Sequence, residues 1–160
     1  MAYYDLEGTA SPAGNTGPSA SVSEDWTFET TDDVVGPVAV KNGIVYAGSK
    51  SDHVYAVHAD TGTELWNYST DGSDSRPGPT VQNGVVYTAD DNDIVALDAL
   101  DGDELWSFTG ATGYTRSSPA VKHGHVYVGN DDGNLYGIWA NNGTKDWDYD
   151  IGDRVRSSPI

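Results

Sequence analysis

Four tryptophans set the ruler for this chain. Trp26, Trp66, Trp106 and Trp147 follow one another at steps of 40, 40 and 41 residues. Pro37, Pro79, Pro119 and Pro159 step by 42, 40 and 40, and Gly43, Gly84 and Gly124 by 41 and 40. Tyr46, Tyr87 and Tyr127 keep the same spacing, and Gly62, Gly102 and Gly143 each stand four residues before a tryptophan. Several residue types holding one period mark an internal repeat. A unit of this length cannot bury its own faces and must stack against copies of itself.

Each unit reads as four short strands. In the third unit these are expected at Ser118–Lys122, His125–Gly129, Asn134–Trp139 and Lys145–Asp150. The first hairpin turn is Asn42-Gly43, then Asn83-Gly84, then His123-Gly124. Asn-Gly is a strong hairpin signal, because a type I′ turn needs positive φ at both central residues. The second turn is polar, at Ser49–Asp52, Asp90–Asn92 and Asn130–Gly133. The third strands, such as Val54-Tyr55-Ala56-Val57 and Ile94-Val95-Ala96-Leu97, are unbroken apolar runs, as strands covered on both faces are. No stretch has helical periodicity. Four-stranded units repeated at 40 residues describe an all-β fold, a β-propeller with about three complete blades in an incomplete ring. The blades fall near 34–70, 76–110 and 116–150, with partial strands at 26–30 and 157–160. Residues 1–24, rich in Ser, Thr, Gly and Pro, read as a flexible leader.

Composition removes several function classes. Val, Ile, Leu and Phe make up only 29 of 160 residues. With high net charge such a share is a signature of disorder, but ten tyrosines and five tryptophans supply the missing apolar area. The absence of cysteine excludes disulfides, iron–sulfur clusters, thiolate zinc and cysteine nucleophiles. Twenty-five acids against eight bases give a net charge of −17, which argues against DNA or RNA as a partner. Twenty of the acids are aspartate and only four lysines occur, a pattern that suggests a salt-adapted, haloarchaeal-looking source. There is no apolar run of about 20 residues that would span a membrane, and Met1–Leu6 carries no basic region of a signal peptide.

The third unit, Arg116-Ser-Ser-Pro-Ala-Val, Gly-His-Val-Tyr-Val-Gly, Asp-Gly-Asn-Leu-Tyr-Gly and Asn-Gly-Thr-Lys-Asp-Trp147, resembles the repeat of quinoprotein-type propellers, also called the PQQ-like repeat. Gly43-Ile-Val-Tyr-Ala-Gly48 and Thr61-Gly-Thr-Glu-Leu-Trp66 carry the resemblance in the first unit, and Gly84-Val-Val-Tyr87 and Gly102-Asp-Glu-Leu-Trp106 in the second. It covers residues 24–160. The Trp-Asp propeller repeat fits less well, since Trp147-Asp148 is the one Trp-Asp dipeptide. The resemblance implies that each indole docks onto the neighbouring blade, so Trp26, Trp66, Trp106, Trp147, Gly62, Gly102 and Gly143 are blade anchors.

Function is left between two expectations. The first is a non-enzymatic module for protein contact or scaffolding, with no catalytic, cofactor-binding or metal residues. The second, by family, is part of a dehydrogenase that holds pyrroloquinoline quinone and calcium on the propeller axis. The family's usual ring of about eight blades makes the chain look like a piece of a longer propeller, open at two blade faces and prone to self-association. Family habit leans towards an extracytoplasmic or cell-surface location. Arg76, Arg116 and Arg156 each precede an inner-strand proline by three residues. They read either as a basic collar at the axial mouth for an acidic partner or anion, or as partners of nearby carboxylates such as Asp74 or Asp153. His123 and His125 flank a turn glycine, and the runs Asp90–Asp93 and Asn130–Gly133 look like pieces of a calcium loop. Turn roles explain both. Trp139 stands where the other units have His58 and Asp98, as a contact residue or a packing variant.

Overall fold

The computed structural model describes residues 24–70 and 77–159. Among these residues, twelve strands form three separate four-stranded antiparallel sheets, each a simple up-and-down meander. Blade one holds β1 (Ala39–Lys41), β2 (Ile44–Ser49), β3 (His53–His58) and β4 (Glu64–Ser69). Blade two holds β5 (Thr80–Gln82), β6 (Val85–Asp90), β7 (Asp93–Asp98) and β8 (Glu104–Phe108). Blade three holds β9 (Ala120–Lys122), β10 (His125–Gly129), β11 (Asn134–Trp139) and β12 (Lys145–Asp150). The short strands β1, β5 and β9 lie side by side and form the inner edge of the arc. Among the described residues no sheet closes on itself, and the fold is an incomplete propeller.

The hairpin chemistry explains the meander. Asn42 and Gly43 have φ of 51° and 77°, and Asn83-Gly84 and His123-Gly124 repeat those values closely. These are the paired positive φ values of a type I′ turn, whose twist matches the strands it joins. Each outer ladder then carries a bulge at one place. The register shifts between Ala56 and Val57, between Ala96 and Leu97 and between Gly137 and Ile138. The extra residues are Leu65, Leu105 and Asp146, each just before the blade's tryptophan.

The core lies between blades. One cluster joins Tyr46, Val54, Ala56 and Trp66 of blade one to Val86, Val95 and Leu97 of blade two. A second joins Tyr87, Ile94 and Phe108 of blade two to Val126, Val128, Tyr136 and Ile138 of blade three. The apolar runs of β3 and β7 are buried along Val54–Val57 and Ile94–Leu97, which is why they do not alternate.

Three expected strands come out differently. The inner strand of blade three starts at Ala120, not Ser118. Pro119 has no N–H to give a ladder, and the Ser118 N–H donates instead to Ser158 Oγ at 2.9 Å. Residues 26–30 and 157–159 belong to no strand, since no neighbouring strand is there for them to pair with among the described residues. Residue 160 and the expected leader up to residue 23 lie outside the described residues.

Candidate functional site

The blade-to-blade joint is built from one tryptophan and one turn. The Trp66 Nε1–H donates to the Ala99 carbonyl at 3.2 Å, and Trp106 donates to Ala140 at 3.0 Å. Trp26 donates to Ala59 at 2.8 Å although it is not in a strand. Each acceptor begins an Ala-x-x-Gly turn ending at Gly62, Gly102 or Gly143. The indole lies flat over that glycine. A Cβ on Gly62 would sit 2.6 Å from Trp26, one on Gly102 2.7 Å from Trp66, and one on Gly143 2.6 Å from Trp106. The same three glycines have φ of 69°, 79° and 72°, so backbone and neighbour both demand glycine. Tyr46 completes the first joint by donating its hydroxyl to the same Ala99 carbonyl at 3.0 Å, and burial pushes its phenol above the ordinary range.

Trp147 holds the same repeat position and meets no following blade among the described residues. Its indole lies over Gly137 of its own sheet, where blades one and two have Ala56 and Ala96, and against Tyr127. It is 37% exposed, against 7% for Trp66. Around it, all of β12 is exposed, and Tyr149 and Ile151 are open to solvent.

The arginines converge on one carboxylate. Arg156 binds Asp131 through two nitrogens at 2.8 and 2.9 Å, and the Arg116 Nε lies 3.4 Å from the same carboxylate. The partner of Arg156 is therefore Asp131 in the β10–β11 turn and not Asp153. The hydrogen bond from Arg156 holds the Asp131 carboxyl below its usual range against the opposing effect of burial, and the charges of Arg156, Arg116 and Arg154 add to it. Arg76 and Asp74 lie outside the described residues.

The same turn clamps the crossover from blade two. Asn130 is fully buried. Its amide oxygen accepts from the backbone N–H of Gly113 and Asp132 at 3.1 and 2.8 Å, and its amide nitrogen donates to Gly113 O and Thr115 Oγ1 at 2.6 and 2.9 Å. Asp132 accepts from Tyr136 at 2.6 Å and from the Thr112 and Asn134 backbone. Burial works to raise the Asp132 carboxyl, but these hydrogen bonds outweigh it and leave it lowered. The run that resembles a calcium loop thus has its oxygens directed at protein donors. No three His, Asp or Glu side chains group as a metal site among the described residues.

Blade three also carries a cluster with no counterpart in the others. His125 packs against Trp139 with ring centroids 4.0 Å apart and planes tilted by 38°, and its Nε2 lies 3.1 Å from Asp146 Oδ2. Blades one and two place Ile44 and Leu65, or Val85 and Leu105, at the positions of His125 and Asp146. Trp139 is both packed on His125 and 40% exposed. The signal was in the sequence as a paired departure from the repeat, but the bulge that brings Asp146 to His125 was not.

A family model described as outer membrane protein assembly factor BamB matches residues 19–160. The chain belongs to this family of PQQ-like repeat propellers. Its fold is similar to that of BamB from Moraxella catarrhalis, with a TM-score of 0.68 and 22% identity over 79% of this chain and 39% of that one. It is similar as well to quinohemoprotein alcohol dehydrogenase ADHIIG from Pseudomonas putida HK5, with a TM-score of 0.67 and 23% identity over 76% of this chain and 21% of that one. The computationally designed Ika4 protein matches with a TM-score of 0.74 and 18% identity over 86% of both chains. No curated protein matches the sequence. The chain thus spans about two fifths of that BamB and a fifth of that dehydrogenase. No helix among the described residues is long and apolar enough to cross a membrane.

A quinone with its calcium ion would need carboxylates facing the axis. The inner strands read Ala-Val-Lys, Thr-Val-Gln and Ala-Val-Lys. None of these nine residues is an acid.

Proposed function

We propose that this chain is a non-enzymatic propeller module that presents surfaces for protein contact, a scaffold segment with the character of the BamB family. The observation that carries this reading is where the repeat-keeping residues are used. Of the residues that hold the period, Trp66, Trp106, Tyr46, Gly102 and Gly143 are occupied in joining blades, and the inner strands carry no acid that could serve as a base or a calcium ligand. The acidic surface fits a module kept soluble by hydration, as in a salt-adapted cell. The family supports an extracytoplasmic setting. In this reading Arg116 and Arg156 stiffen the crossovers through Asp131, and the collar role is secondary.

The test is titration with pyrroloquinoline quinone and Ca²⁺. The scaffold reading expects no change in thermal midpoint, no quinone absorbance shift and no dye-linked alcohol oxidation. A saturable thermal shift with a quinone signal would move the chain to the dehydrogenase side of the family.

A further inference from the structure

Two Asn-x-Ser/Thr triplets stand in the chain, Asn67-Tyr68-Ser69 and Asn142-Gly143-Thr144. Such a triplet accepts an oligosaccharide on the asparagine amide nitrogen when it lies in a surface loop of an exported protein. The fold treats the two differently. Asn67 and Ser69 are ladder residues of β4, paired with Tyr55 and His53. An extended strand advances about 3.3 Å per residue, which holds their side chains apart. The Asn67 Nδ2 is also engaged, donating to Glu64 Oε1 at 2.7 Å. Asn142 and Thr144 lie in the turn between β11 and β12, and both are exposed. The Asn142 Oδ1 accepts from the Thr144 hydroxyl at 2.8 Å and from the Thr144 backbone N–H at 3.1 Å. Its Nδ2 donates to no group among the described residues.

The turn is a property of the repeat, but the free amide nitrogen is not. In blade one the Thr61 Oγ1 accepts from the Thr63 N–H at 3.4 Å, and in blade two the Asp101 Oδ1 accepts from the Asp103 N–H at 3.1 Å. Thr, Asp and Asn all supply the acceptor that the turn needs. Asn alone adds a nitrogen that can carry a sugar. The exposure of Asn142 is likewise a property of the turn and not of the end of the arc. Blades one and two are each packed against a following blade, and Thr61, Thr63, Asp101 and Asp103 are exposed there as well. Gly143, between the two reactive residues, is buried beneath Trp106. The middle residue of the triplet therefore belongs to the blade joint, while the side chains on either side of it face solvent.

We propose that Asn142 is an N-glycosylation site of the folded chain, and that Asn67 is not. The donor is a lipid-phosphate-linked oligosaccharide. The bond between the sugar C1 and the phosphate oxygen breaks, and the bond between C1 and Asn142 Nδ2 forms. The amide gives up one proton, and the lipid phosphate leaves with the bonding pair. The two donors on Oδ1 favour the negative charge that builds there as the nitrogen loses its proton. The inference rests on the extracytoplasmic setting proposed above, and it holds equally for a scaffold segment and an enzyme segment.

Transfer to the folded 160-residue chain in vitro tests the site. The reagents are a lipid-linked oligosaccharide and a single-subunit oligosaccharyltransferase that requires only the triplet. The intact mass should rise by one glycan, and peptide mass spectrometry should place it on Asn142 with Asn67 bare. Asn142→Asp keeps the turn acceptor that blade two uses and removes the nitrogen. It should abolish transfer with the circular dichroism unchanged. Thr144→Ser should retain transfer and Thr144→Ala should lose it. No transfer to the folded chain would overturn the proposal, as would transfer that survives Asn142→Asp or runs equally at Asn67. The chain recovered from its own cells separates the site from the setting. An exported chain bare at Asn142 would overturn the site alone, and a chain confined to the cytosol would overturn the setting and the modification together.

Discussion

Trp66 and Trp147 are the same residue of the same repeat in two environments. Both lie against their own sheet, Trp66 opposite Ala56 and against Tyr46, Trp147 opposite Gly137 and against Tyr127. Of the two, Trp66 alone also reaches the Ala99 carbonyl and covers Gly102 of the next blade. The strands beneath them have the same length and the same bulge. The difference is the presence of a following blade. A blade of this repeat thus forms its ladder by itself, but its outer strand is buried only by its neighbour: β4 keeps Trp66 inside, and β12 has no buried residue.

The largest expected effect follows directly. Trp66→Ala should destabilise the chain by about 3–5 kcal/mol in a urea titration, because it removes a buried ring and leaves a cavity between two blades. Trp147→Ala in monomeric conditions should cost less than about 1 kcal/mol. Equal costs would mean that the seat contributes nothing beyond the ring's own sheet.

Next come substitutions that leave the indoles in place. Asn130→Ala should cost about 1–3 kcal/mol, since it strands the half-buried N–H and C=O of Gly113 and the buried Thr115 hydroxyl. Hydrogen exchange should locate the loosening at residues 112–115. Gly43→Ala and Gly102→Ala have nearly equal φ, 77° and 79°, but the first meets open space and the second meets Trp66. Gly43→Ala should therefore cost only the backbone strain, about 1 kcal/mol, and Gly102→Ala about 1–3 kcal/mol more.

The smallest effect is electrostatic. Asp131 is held below the usual carboxylate range by Arg156, so its contribution is complete above about pH 4, where the unfolded carboxyl ionises. It is lost as the pH falls through the folded value. Asp131→Asn should flatten the acid limb of the stability curve and show less effect in high salt. Asp93 has the opposite sign. Burial, then Asp91 and Glu104, raise its carboxyl, so its penalty operates above its folded value and vanishes in acid. Asp93→Asn should accordingly raise the thermal midpoint slightly at neutral pH.

What the sequence made legible was local or periodic. The type I′ turns were readable because Asn-Gly names its own backbone geometry, and three of the four strands of blade three keep their expected bounds. Part of the glycine argument was hidden. Gly102 could be placed in a turn before Trp106, but its role as the floor under Trp66 depends on how two blades stack. The convergence of Arg116 and Arg156 on Asp131 was invisible for the same reason, since it joins two repeat positions to a turn that no spacing rule connects. Asn130 and Asp132 read as loop residues of a possible cation site. Only the path of the crossover makes them the clamp for Gly113 and Thr112.

The central claim is that an indole on its neighbour's glycine turn joins each blade to the next. A double-mutant cycle on Trp66→Ala and Gly102→Ala tests it most directly. If the Trp66 ring is what the new methyl group meets, the cost of Gly102→Ala should fall by at least about 1 kcal/mol once the ring is gone, beyond the usual additivity error. Strict additivity of the two substitutions would contradict the account.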